Sequence, residues 1–151
     1  MKAATSSEIL QGCAAHGVAA AAVLMADDAY MLPSRAWIAT VFAPAWARTK
    51  LLLGTTEYRV DSNDCDDYAR LCAGYAQLLN NRTLREYGGS EASLAFGEFW
   101  YASATLGSHA INAFLYRDDA KRIQFGFFEP QTGEVLALSP AEVGSCCLLR
   151  L

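Results

Sequence analysis

The chain has 151 residues, 53% of them hydrophobic and 19% charged, with a formal net charge of −4. That length is typical of one domain, and so large an apolar share closes a core without disulfides and excludes a disordered chain. The acidic balance and the scatter of Lys and Arg exclude the basic stripe of a nucleic-acid binder.

Read in chain order, Ser6 or Ser7 caps a helix running to about Met25, with Ile9, Cys13, His16, Ala20 and Leu24 at helical spacing. The apolar run from Gly17 to Ala26, with Lys2 ahead of it, has some features of a secretory signal. Glu8, Gln11 and His16 interrupt it and it is too short to span a membrane, so an amphipathic helix is the preferred reading. Tyr30 to Leu32 is extended before Pro33. Ser34 caps a second helix to about Phe42, and Pro44 opens a third that Gly54 ends after Leu53. Tyr58 to Val60 is extended. Asp61-Ser62-Asn63-Asp64 is rich in capping residues, and Cys65 to Asn80 places Cys65, Tyr68, Cys72 and Tyr75 on one stripe, the pattern of a buried central helix. Thr83 to Tyr87 reads as a helical turn and Gly88-Gly89-Ser90 as a loop.

From Ser93 the period changes to that of strands. They are expected at Leu94–Ala102, His109–Arg117, Arg122–Glu129 and Glu134–Leu138, then a helical turn at Pro140–Val143 and a last strand at Cys146–Leu151. Helices first and an antiparallel sheet after make the class α+β, a single domain over residues 1–151 with a helical N-terminal extension over 1–30.

Five cysteines, Cys13, Cys65, Cys72, Cys146 and Cys147, cannot all pair within the chain and none has C-x-x-C spacing. With His16 and His109 the only histidines, a zinc site is disfavoured, and a reducing, cytoplasmic setting fits best. Cys65 stands apart, because a thiol at a helix N-terminus gains acidity. His109 starts a strand after a Gly-Ser turn, where a ring can project over a facing helix end. Glu129 ends the partner strand, where a carboxylate can hold that ring in one tautomer. Asn112, a rival orienter, falls on the opposite strand face from His109. The plain alternatives are a core cysteine, a structural histidine and an exposed strand-end acid. Asp61, Asp64, Asp66 and Asp67 crowd Cys65 and oppose its ionisation unless a cation reverses the local sign. They are otherwise a solvated helix cap. Arg59 is a candidate partner for that cluster.

Asp64-Cys65-Asp66-Asp67-Tyr68-Ala69, Ser108-His109-Ala110-Ile111-Asn112 and Glu129-Pro130-Gln131-Thr132-Gly133 together resemble the papain-like C-terminal domain of the mushroom agglutinin MOA and the small lectin MOA-related proteins. The likeness runs from about Tyr30 to the C-terminus, with Ser108 standing where the family carries Gly. It implies a papain-like or transglutaminase-like fold and a cysteine hydrolase of peptide or isopeptide bonds that depends on Ca2+ or Mn2+. By that resemblance Cys65 is the nucleophile, His109 the base, Glu129 the orienter, and Asp66 and Asp67 the metal ligands. Asn63, beside the Cys65 amide, is the candidate oxyanion donor. The expected partner is a peptide or protein substrate, with neither nucleic acid nor membrane, and a homodimer is one open assembly state. The agglutinin's sugar-binding domain has no expected counterpart here. The alternative is a non-enzymatic phage or bacterial interaction module that keeps the fold.

Overall fold

In the computed structural model, residues 2–59, 64–87 and 92–151 are described. The N-terminus forms a strand, β1 (Lys2–Thr5), before helix α1 (Ser6–Ala15). Thr5 caps α1, accepting from the Glu8 amide while Glu8 returns a bond to the Thr5 amide. The helix expected to reach Met25 therefore ends ten residues early. Gly17 adopts φ +81°, a conformation an L side chain resists, and the chain turns there. The alanine-rich remainder forms one 3-10 turn, Ala20–Ala22, and a short strand, β2 (Val23–Leu24).

Strand β3 (Ala29–Leu32) pairs antiparallel with β1, so part of the expected helical extension is sheet. Helix α2 (Arg35–Trp37), a π turn (Ile38–Phe42) and helix α3 (Ala43–Leu53) follow one another without a break. Pro44 has no N–H to donate, and the wider turn ahead of it, where the Ala43 amide bonds Ile38 O, lets the helix continue through it. Gly54 ends α3 at φ +67°. Helix α4 (Cys65–Tyr87) begins where the sequence places it and runs through Asn80 and the expected separate turn at 83–87.

The expected strand from Leu94 divides at Ala95 into β4 (Ser93–Leu94) and β5 (Phe96–Ser103). Ala95 serves two sheets, giving its N–H to Met31 O and its carbonyl to the Leu115 N–H. There follow β6 (Gly107–Arg117), β7 (Ile123–Glu129), β8 (Glu134–Leu136), α5 (Pro140–Gly144) and β9 (Leu148–Arg150). The described strands form a small sheet in the order β1-β3-β4 and a larger one in the order β2-β9-β5-β6-β7-β8. The parallel β2–β9 pair ties the N-terminal region into the main sheet.

Two apolar clusters flank that sheet. Ile9, Cys13, Val18, Phe99, Ile111 and Phe127 form one, and Phe42, Trp46, Tyr68, Phe96, Phe114 and Phe128 form the other, under α3 and α4. Asn112 fastens α4 to the sheet by donating to Ala69 O (2.8 Å) and Gly97 O (3.1 Å). Gly126 in β7 is required by close packing, since a Cβ there would meet the Phe114 ring at 2.1 Å. The architecture is mixed α/β, with helices packed on a multi-stranded sheet.

Candidate active site

Cys65 is the first residue of α4 and is half-buried. The Tyr68 amide bonds Asp64 O, so the first turn is closed immediately behind the thiol. His109 lies near the start of β6, opposite Tyr101 of β5, whose ring meets the imidazole edge-on at 5.9 Å. Glu129 is the last residue of β7. Its Oε2 lies 3.0 Å from His109 Nε2, and each of the two side chains is only 11% exposed. Its other oxygen, Oε1, accepts the Gln131 amide at 3.0 Å. With Nε2 engaged by Glu129, Nδ1 is the ring nitrogen left for a reacting partner.

Cys65 and His109 line one pocket of about 360 Å³, whose walls include Asp66, Trp100, Ser145 and Cys147. A larger apolar cavity, about 930 Å³, lies between α3 and α4 and contains neither Cys65 nor the His109–Glu129 pair. Size does not decide here, because the smaller pocket is the one that holds a thiol beside an oriented imidazole. Asn112 is spent on Ala69 and Gly97 and does not orient His109. Asn63 and Asp61 lie outside the described residues.

Among the described residues, Asp64, Asp66 and Asp67 each offer an oxygen within 4.8 Å of the others. Asp64 and Asp66 hydrogen-bond each other, which holds the Asp66 carboxyl above the ordinary carboxylate range and Asp64 below it. Asp64 Oδ1 is buried with no hydrogen-bond partner. The cluster's cation is Arg70, one turn on, at 3.1 Å from Asp66 and 3.6 Å from Asp67. Arg59 pairs with Glu57 at 3.3 Å on the surface, and Asp61 of the cluster lies outside the described residues. The Asp66–Arg70 spacing of four is a readable helix-pair signal that marks Arg70 over Arg59.

Three of the other thiols are shifted by burial. Burial pushes Cys13 up to about 11, Cys146 up to about 12, and Cys72 well above the ordinary thiol value. Cys147 is exposed, and its Sγ lies at the pocket rim 3.5 Å from Trp100 O. All five cysteines are free thiols. His16 closes α1, with Nε2 3.3 Å from Ile123 O. Two residues of α3 reach the turn after Glu129. Trp46 Nε1 donates to Pro130 O at 2.8 Å and Lys50 Nζ to Gln131 O. Nothing local in the sequence around either residue points to position 130.

No protein-family model and no curated protein matches the chain. Solved structures do share its fold. One is PSL1a in complex with E64, at a TM-score of 0.70 and 22% identity over 99% of this chain and 50% of that one. Another is Polyporus squamosus lectin bound to the human-type influenza-binding epitope Neu5Aca2-6Galb1-4GlcNAc, at a TM-score of 0.72 and 22% identity over 99% of this chain and 49% of that one. PSL1a is that fungus's lectin, of the same family as the agglutinin MOA. The likeness is one of fold, and the chain spans about half the length of each. Among the described residues no helix is long and apolar enough to cross a membrane.

Proposed function

We propose that the chain is a papain-like cysteine hydrolase, one domain acting on peptide or isopeptide bonds. The observation that carries this reading is the buried His109–Glu129 pair, 3.0 Å apart, opening on the pocket that Cys65 lines. In the proposed reaction His109 Nδ1 takes the Cys65 proton and the thiolate attacks the carbonyl carbon. The Cys65 backbone amide and Asn63 receive the developing oxyanion. Imidazolium gives its proton to the leaving amine, and water, deprotonated by the same ring, releases the acyl group from sulfur. Glu129 holds the ring and stabilises its cation throughout.

Asp64, Asp66 and Asp67 suit a hard divalent cation such as Ca2+ or Mn2+, since all are oxygen donors and Asp64 Oδ1 lacks a partner. Asp66 and Asp67 would hold it, joined by Asp64. When bound, the ion supplies positive charge that offsets the carboxylates beside the thiol.

Alkylation mapped by mass spectrometry tests the reading, with iodoacetamide or the thiol-directed epoxide E64 as probe. Cys147 is an internal standard, being exposed where Cys65 is half-buried. An activated Cys65 reacts first despite lower access; a Cys65 that reacts no faster than Cys147 ends the proposal.

The lectin neighbours favour a second reading, a non-enzymatic interaction module that keeps the fold to bind a protein or a carbohydrate. It predicts glycan or protein capture that Cys65→Ala leaves intact, with no turnover on a peptide panel. Loss of capture in that variant would count against it.

A further inference from the structure

The Glu129–Gly133 turn is held from both inside and outside. Inside, the Gly133 amide closes on Glu129 O at 2.8 Å and the Gln131 amide grips Glu129 Oε1 at 3.0 Å. Outside, the next two carbonyls of the turn both face α3. Pro130 O takes the Trp46 indole N–H at 2.8 Å in a buried bond, and Gln131 O takes the Lys50 ammonium. Trp46 and Lys50 are four apart and so share one face of α3. We infer that Lys50 and Trp46 are positioning residues that lock the turn so that Glu129 keeps one oxygen on His109. This deepens the hydrolase reading and rests on it.

The identity of residue 50 is the strongest argument. Lys50 is 8% exposed, beside the buried cluster to which Trp46 belongs. Packing alone would be served better by Leu or Met, because a buried ammonium costs desolvation that an apolar side chain avoids. That burial pulls the lysine's pKa down, while Cys72 and then Glu129 oppose the fall. A lysine here donates to the Gln131 carbonyl, which a hydrophobe could not do.

The test uses the full chain carrying His16→Asn, which leaves His109 as the only imidazole. Lys50→Met and Trp46→Phe are compared with this parent by imidazole 15N shifts above the ring's titration, by Cys65 alkylation rate and by thermal midpoint. The parent should show the Nε2–H tautomer, donated to Glu129. Both variants should mix tautomers and slow Cys65 alkylation about tenfold or more, the scale expected when a catalytic group is slightly misplaced. A parent without Nε2–H overturns the inference. So do variants that lose thermal stability yet keep tautomer and rate, since that is what structural residues would do. If the parent's Cys65 is no more reactive than Cys147 but the variants still mix tautomers, the hydrolase reading fails and the positioning stands. Should Lys50→Met not fold, Trp46→Phe, which removes one bond and keeps an aromatic ring, decides alone.

Discussion

The two halves of the candidate site are built by different means. On the sheet side, His109 and Glu129 stand on adjacent antiparallel strands whose register runs unbroken from Asn112–Phe128 to Arg117–Ile123, and helix α3 pins the turn beyond. On the helix side, Cys65 stands at the head of α4 with, among the described residues, three carboxylates and one arginine beside it. Geometry governs the first half and charge the second. Variants on the sheet side should therefore change the orientation of the base, and those on the helix side should respond to salt and ions.

The largest expected effect is on the sheet side. His109→Ala should lower peptide turnover by about 10²–10⁴-fold, the range that a positioned general base supplies. Glu129→Gln should lower it less than His109→Ala. Steady-state kinetics on a fluorogenic peptide library measures both, and activity in His109→Ala equal to the parent's would dissolve the contrast between the halves.

Adding an ion to the helix side comes next. Ca2+ or Mn2+ at 100 times its Kd should stabilise the folded chain by about 2.7 kcal/mol. Asp66→Asn/Asp67→Asn should abolish that shift in a thermal melt. A shift that survives the double substitution would place the ion elsewhere. Arg70→Ala should tighten ion binding, because Arg70 now occupies the same two carboxylates.

Gly126→Ala separates stability from chemistry on the sheet side. The added methyl must push the Phe114 ring aside, at a cost of about 1–3 kcal/mol for an overpacked core. Because Gly126 is three residues from Glu129 on the same strand, loss of Cys65 alkylation rate alongside midpoint would mean the strand transmits strain into the pair. An unchanged rate with a lowered midpoint is the expected result.

What the sequence made legible follows the same division. Cys65 at a helix start is readable because capping residues precede it and an apolar stripe follows it, although the buried face is Tyr68, Cys72 and Ala76, with Leu71 and Leu78 exposed. The His109–Glu129 pairing is readable from alternation, and the Pro-Gln-Thr-Gly turn marks where β7 stops. Contacts made at a distance are not readable. Nothing in Lys2–Thr5 announces a strand until β3 is there to pair with it. The alanine run after Gly17 has high helix propensity, yet β9 recruits Val23 and Leu24 into the sheet, and tertiary pairing overrides propensity. Lys50 and Trp46 read as ordinary helix residues because their partners lie about eighty positions away. The mutual hydrogen bond of Asp64 and Asp66 is likewise a matter of side-chain placement that spacing does not dictate.

The smallest effect lies at the pocket's third wall. Ser139 caps α5, and Glu142 closes its capping box while also accepting the Ala104 amide at 3.1 Å. Ser145, on the pocket wall, accepts the Ala102 amide at 2.9 Å and donates to Glu142 O, so the acid is linked to the rim. The Ser139 amide above all, then the Ala104 amide and the Ser139 hydroxyl, hold the Glu142 carboxyl below its ordinary value. A carboxyl lowered on folding stabilises the fold at pH values above its unfolded pKa and loses that contribution as pH falls through the lowered range. Glu142→Gln should therefore reduce the midpoint slightly at neutral pH and make no difference in strong acid. Melts taken from pH 7 down to pH 3 would show the two curves converging. A constant offset at every pH would mean that the side chain acts by shape alone, and that this wall, unlike the helix side, owes nothing to charge.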